Sequence, residues 1–342
     1  MENSYNVAVV GAATSAGAVV IELLGGRDFP IDNLYLLDDE ELAGGRIEFN
    51  SSYQAVKDVA GFDFSQVQIA LFVSGDVIAA KYVPKASKEG CVVIDSSSQF
   101  RMDSDVPLVV PEVNPAAIAD YKIRNIIASP GSAAIAMLVA LKPIYDAAGI
   151  EKINISTYHA VSEMGESGAE ELASQTTGLL NMREPECCQF PEQIAFNVIP
   201  QVGAILENGY TLEELRLVGE GQKVLDDKSI LINPTAVWVP VFFSHSESLH
   251  IETKTKLSAS AARELLQQSE GISVVDDPST LDYPTPVGGG VGTDSVFVGR
   301  IREGMGSGNS LNLWVVSDNV RKGSALNCVQ IAENLIKNYL GK

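Results

Sequence analysis

The first third of the chain alternates short apolar runs with helical spacing. Residues 6–10 (NVAVV) read as a strand, 11–17 (GAATSAG) as a glycine turn, and 18–24 as an apolar helix. Strand, glycine turn and helix in that order open a dinucleotide-binding unit. Apolar runs at 34–37, 68–73, 91–94 and 126–128 predict further strands. The strand ends Val73-Ser74-Gly75 and Asp95-Ser96-Ser97-Ser98 are polar, as on the crevice side of a doubly wound sheet.

After residue 128 the pattern changes. Ser129-Pro130-Gly131 makes a tight turn, and Ser132 opens a helix of small and aliphatic residues. Residues 152–159 alternate as a strand, 165–180 read as a helix, and 185–191 as a loop. A helix follows over 211–225, with Thr211 as cap and Glu214 three residues on. Long strands are predicted at 230–238 and 241–255, a helix at 258–268, strands at 294–302 and 310–316, and an apolar helix at 319–339. Long alternating strands with few helices predict a mostly antiparallel sheet packed on one face.

With 342 residues, 46% of them hydrophobic, the chain has core enough for two domains. It has no run of about 18 uncharged apolar residues, so no membrane span is expected. Met1-Glu2-Asn3 leads straight into a strand, which predicts no leader. Cys91, Cys187, Cys188 and Cys328 show neither zinc spacing nor a disulfide framework, so a cytoplasmic location is expected. The net charge of -20 argues against nucleic acid or an anionic membrane as partner.

The candidate chemistry begins at Ser132. A helix N-terminus after a strand stabilises negative charge and suits a nucleophile; serine there is equally a helix cap. In the glycine turn, Thr14 stands where a middle glycine would admit a pyrophosphate, while Gly11 and Gly17 remain. Asp38, Asp39, Glu40 and Glu41 follow the second strand. Such acids bind a ribose hydroxyl and repel a 2′-phosphate, or form a solvated loop. Arg101 is an anion clamp or a surface ion pair. His245 and His250 fall on opposite faces of a strand, so no metal site is expected; His245 is a general acid/base or a structural histidine.

Longer blocks carry a resemblance. They include DSSSQFRMDSDVPLVVPEVNP (95–115), IAFNVIP (194–200), VPVFFSHSE (239–247), VGRIRE (298–303) and LNLWVVSDNVRKGSALNCVQIAE (311–333). Over nearly its whole length the chain resembles aspartate-semialdehyde dehydrogenases. The resemblance implies an α/β fold: a Rossmann-type doubly wound parallel sheet from residues 1–130 with 319–342, plus an α+β substrate and dimerisation domain, 131–318. It also implies a homodimer through roughly residues 150–318, consistent with the long apolar strands there. Enzymes of this family make aspartate semialdehyde from aspartyl phosphate with NADPH, through a cysteine thioester.

Position by position, the resemblance is uneven. His245 matches the acid/base histidine, Arg101 the phosphate arginine, Glu220 the acid that meets the substrate amine, and Lys223 the phosphate lysine. Ser132 stands in place of the nucleophilic cysteine, Gly131 of its asparagine neighbour, His159 of the glutamine and Trp238 of the carboxylate-binding arginine. The implied cofactor contacts are Gly11, Thr14, Ser15, Ala16, Gly17, Asp38, Ser74, Ser97 and Asn319, for NADP by resemblance, with NAD or NADP expected to bind weakly. An unactivated serine is a weak nucleophile, and losing the arginine removes a bidentate contact worth roughly 1.5–3 kcal/mol. The pattern resembles Usg-type paralogues without the catalytic cysteine. It predicts a degenerate site in a ligand-binding or partner protein; the alternative is an active NAD(P)-dependent oxidoreductase using Ser132 and His245.

Overall fold

The computed structural model describes residues 4–277, 279–280, 282–306 and 308–340. Its contacts divide the chain into two compact units, Met1–Gly131 with Ser324–Lys342, and Ser132–Gly323.

The first unit runs β1 (Tyr5–Val10), α1 (Ser15–Gly26), β2 (Ile31–Asp38), β3 (Arg46–Phe49), β4 (Ser52–Asp58), β5 (Ile69–Phe72), α2 (Asp76–Lys88), β6 (Val92–Asp95) and β7 (Ile126–Ala128). Its seven strands lie in the order β3-β4-β2-β1-β5-β6-β7. All neighbours are parallel except the β3–β4 pair. Val7, Val9, Ile69, Leu71 and Ile94 are buried in the core, as apolar runs in a parallel sheet with covered faces require. The β3–β4 hairpin at the edge is not predicted from the sequence. Its turn is Asn50-Ser51, both residues at positive φ (47° and 62°), the conformation that two-residue hairpin turns favour.

The second unit begins with α3 (Ser132–Ala148) and continues through β8 (Ile150–His159), α4 (Glu166–Leu180), α5 (Leu212–Val224), β9 (Leu231–Trp238), β10 (His245–Thr253), α6 (Ala259–Gln267), β11 (Ile272–Val274), β12 (Val296–Glu303) and β13 (Ser310–Ser317). Thr211 and Glu214 form the capping box at α5 that the sequence predicts. The six strands are ordered β11-β12-β13-β10-β8-β9. The sheet is mixed: β8–β9 and β11–β12 are parallel, the other pairs antiparallel. Along β10, His245, Glu247, Leu249 and Ile251 are buried, while His250 is half-buried and bonds Asn312. Helix α3 packs on β8, β10, β12 and β13.

Two predicted elements begin later than expected. The strand expected from residue 241 starts at His245, because Ser244 adopts φ 72°, a left-handed backbone that breaks strand pairing. The helix expected from residue 319 begins at Arg321, as a π-helical stretch (Arg321–Leu326) that runs directly into α7 (Asn327–Asn338). Asp318 accepts the N–H groups of Val320 and Arg321, the bonds by which an acidic side chain caps a helix start. Helix α7 belongs to the first unit. It buries Cys328, Val329, Ile331, Ala332 and Leu335 in that core.

Candidate functional site

The register of the second sheet lays out a polar patch in two rows. In the first row, Trp238 pairs with His159, and His245 pairs with Ser317. The two histidine rings lie side by side, centroids 4.6 Å apart. In the second row, Ala236 pairs with Thr157, and Glu247 lies between Thr157 and Val315. Beyond it the sheet is apolar: Ile155, Leu249 and Leu313 are all buried.

Ser132 is the first residue of α3 and is buried. Its hydroxyl donates to Oε2 of Glu163 at 3.1 Å. The same oxygen lies 2.9 Å from Nε2 of His245. Nδ1 of His245 accepts the N–H of Ala160 at 3.0 Å. That bond fixes the tautomer: Nε2 carries the proton and donates it to Glu163. Asn319 closes the group. Its Oδ1 accepts from Ser162 and from the Ser244 N–H, and its amide lies 3.4 Å from Glu163. Asn319, expected at the cofactor, is thus placed in the Glu163 cluster.

Glu163 is the residue that the sequence does not reveal. It stands in an ordinary loop, VSEMG, four residues past His159. Burial of its carboxyl favours the neutral form, but the hydrogen bond and charge of His245, with His159 and Ser132, outweigh it and pull the value down to about 2. About 35% of the side chain remains accessible. His159 behaves in the opposite sense. Burial, then the charge of His245, holds its imidazole down at about 3, so it is neutral. Its Nε2 bonds the Thr157 hydroxyl at 2.9 Å.

Trp238 is not a lining residue of an open site. It is 5% exposed and packs edge-on against Phe190 and His159 at 5.2 and 5.6 Å. Val161, Leu172, Ile194, Ile199 and Val202 complete its apolar cluster. Glu220 is buried on α5, and Lys223 lies in the last turn of the same helix.

Glu247 is 1% exposed, and neither carboxyl oxygen has a hydrogen-bond partner. Burial drives its carboxyl well above the ordinary 4.5. The folded state therefore keeps a proton that the unfolded state releases. The associated stability is complete below about pH 4.5 and is lost as pH rises toward the folded-state value. Glu247→Gln removes this dependence. Denaturant unfolding at pH 5 and pH 8 is expected to show the wild type weakening with pH. The variant curve is flatter, and at pH 8 the variant is more stable by about 1–3 kcal/mol. Equal pH slopes would contradict this.

The first unit carries the nucleotide cradle. Gly11 has φ 89°, and a Cβ there would meet the carbonyl of Val73 at 2.8 Å; one on Gly17 would meet the carbonyl of Gly11 at 2.0 Å. Only glycine allows this turn and this close helix approach. Thr14 caps α1 by accepting the Gly17 N–H. Asp38 is buried and accepts the N–H groups of Ala13 and Asp39, while Glu40 and Glu41 are exposed. Ser74 is buried with an unpartnered hydroxyl, whereas Ser97 donates to Asp95. Arg101 donates to the Ser96 carbonyl at 2.6 Å. A glycine cradle with a buried, unpartnered hydroxyl fits a dinucleotide.

Comparison with known proteins adds the following. The family described as semialdehyde dehydrogenase, NAD binding domain, matches residues 6–121, and the semialdehyde dehydrogenase dimerisation domain matches 141–322. The aspartate-semialdehyde dehydrogenase of Shewanella violacea is 50% identical over 99% of this chain and 100% of its own length. Aspartate-semialdehyde dehydrogenase 2 of Vibrio cholerae is 49% identical over the same shares. The crystal structure of aspartate semialdehyde dehydrogenase II from Vibrio cholerae superposes with a TM-score of 0.96 at 49% identity, covering 98% of this chain and 100% of that one. The dimerisation domain indicates a homodimer, and the NAD binding domain a nicotinamide cofactor.

Proposed function

The chain belongs to the aspartate-semialdehyde dehydrogenase family, and from that membership we propose a homodimeric relative of Usg type, unable to run the parent reaction and acting as a ligand-binding or partner protein. One observation carries this reading: the Glu163 carboxylate stands between Ser132 and His245. A serine nucleophile needs a base that takes its proton. Here the proton points at a carboxylate held near 2, which is a poor base. His245 has both ring nitrogens engaged and gives its own proton to Glu163. An ionised carboxylate beside Oγ also opposes the negative charge of an acyl phosphate and of the oxyanion that attack creates.

When bound, a nicotinamide cofactor supplies hydride transfer. Toward it, this chain offers the Gly11 turn, the first-turn N–H groups of α1 at Ser15 and Ala16, and the Ser74 hydroxyl. Asp38, at the end of β2, and Asp39 to Glu41 after it place acids there, so NADP is expected to bind no better than NAD. Calorimetric titration checks this; tight NADP binding beside weak NAD binding would overturn it.

The test of function is NAD(P)H formation from aspartate semialdehyde and phosphate, beside an active family member. The expected result is no turnover above the blank. Robust turnover abolished by Ser132→Ala would establish the serine enzyme instead.

A further inference from the structure

Buried polar groups nearly always find a partner. Yet four buried atoms in the two polar rows have none: both carboxyl oxygens of Glu247, Nδ1 of His159 and the hydroxyl of Ser317. All belong to residues in adjacent register positions of β8, β10 and β13. Thr157 links two of these residues. Its hydroxyl bonds Nε2 of His159 at 2.9 Å, and it is the cross-strand neighbour of Glu247. Directly paired residues bring their Cβ atoms to about 4.5–5.5 Å, so a rotamer change is enough for a Glu247–Thr157 hydrogen bond.

We propose that Glu247 is a proton-storing positioning residue for the His159–His245 pair, coupled to it through the Thr157 hydroxyl. At rest Glu247 is a neutral acid, which leaves Glu163 as the ionised carboxylate beside the pair. When negative charge enters the patch, the O–H bond of Glu247 breaks and its proton passes to Oγ1 of Thr157. The hydroxyl proton of Thr157 passes in the same relay to Nε2 of His159. The products are a carboxylate and an imidazolium; net charge and electron count are unchanged. The device operates in a binding protein as in an enzyme, so it does not depend on the reading of function given above.

The groups facing Glu247 support a closed relay. His159 with Thr157 comes from β8, His245 from its own strand, and Glu163 from the loop after β8. β13 offers Val315 and the uncharged Ser317, and beyond it Asp318 is committed to the N–H groups of Gly292, Val320 and Arg321. Helix α3 has Ser132 at its start and no ionisable side chain before Lys142. The turn Pro286–Gly290, also packed on β10, has none.

The chain has three histidines, and ring-proton magnetic resonance follows each. His250, on the opposite face and bonded to Asn312, is the internal control. The wild type is expected to show, in the His159 and His245 signals, a second inflection above the ordinary carboxylate range as Glu247 ionises. Glu247→Gln removes it and moves the main inflection of at least one ring by about half a unit or more. Thr157→Val removes it from His159 alone. His250 is unchanged throughout. Superimposable His159 and His245 curves in wild type and Glu247→Gln, or no second inflection in the wild type, would overturn the proposal. Should Glu247→Gln not fold, an unaltered His159 curve in Thr157→Val overturns it equally.

Discussion

Ser132→Cys is expected to place a thiol at the helix N-terminus and still to give no dehydrogenase activity. In isolation the position suits a thiolate, since the first turn of α3 would lower a cysteine pKa toward neutrality. The opposing charge decides the outcome. The hydroxyl that the thiol replaces sits 3.1 Å from an oxygen of Glu163, a carboxylate that stays ionised throughout the physiological range. A second negative charge at that distance pushes the thiol up. The same carboxylate holds the Nε2 proton of His245, so the histidine is not free to serve the thiol. Alkylation rates against pH are expected to give Ser132→Cys a thiol pKa at or above the ordinary value of about 8.5. Adding Glu163→Gly lowers it by about one unit or more. Phosphate-dependent NAD(P)H formation stays at the blank in the single variant. Turnover is expected only when Glu163 is removed as well, together with changes at His159 and Trp238. A single variant that turns over would show that the carboxylate does not block the site.

What the sequence discloses follows from how local each signal is. The strand, turn and helix at residues 6–24 are legible because periodicity and two obligatory glycines coincide within one βα unit. The capping box at Thr211 and Glu214 is legible for the same reason, since both partners lie within four residues. The β3–β4 hairpin escapes because its strands face solvent and carry few apolar residues; the Asn50-Ser51 turn is the signal that could have found it. Val241, Phe242 and Phe243 look like strand, yet both phenylalanines are over 40% exposed and the backbone turns at Ser244. Glu163 could not be found locally at all. It lies 82 residues from His245, and its role exists only because the end of β8 meets the start of β10. Glu247 reads as one polar residue in an alternating strand; the pairing with Thr157 and Val315 is what buries it.

Trp238→Arg, the substitution that would restore the family's carboxylate clamp, is expected to destabilise the second unit by about 3–5 kcal/mol. Resemblance alone presents Trp238 as a filler of the substrate site, but the structure makes it part of the core. Its backbone exchanges both hydrogen bonds with Ile199, at 2.8 and 3.0 Å. Its indole fills the space between Phe190 and His159 with Leu172, Ile194 and Val202 around it. Removing a large aromatic from such a place leaves a void, and the guanidinium that replaces it must be buried without a ready partner. The carboxylates around it are already engaged: Glu163 by His245 and Ser132, Glu214 by the N–H groups of Thr211 and Ala236, and Glu171 by Gln175 and the N–H groups of Cys188 and Gln189. A buried, unpaired charge adds its desolvation to the lost packing. At roughly 2–4 °C per kcal/mol for a unit of this size, the melting temperature should fall on the order of 10 °C. Calorimetry of Trp238→Arg and Trp238→Phe separates the two contributions: the phenylalanine keeps most of the packing and should lose far less. Wild-type melting in Trp238→Arg would mean that the cluster opens readily and that the clamp position is free for a ligand. The expected loss would mean instead that one substitution cannot install an arginine there, because the aromatic cluster fills the space its side chain would need.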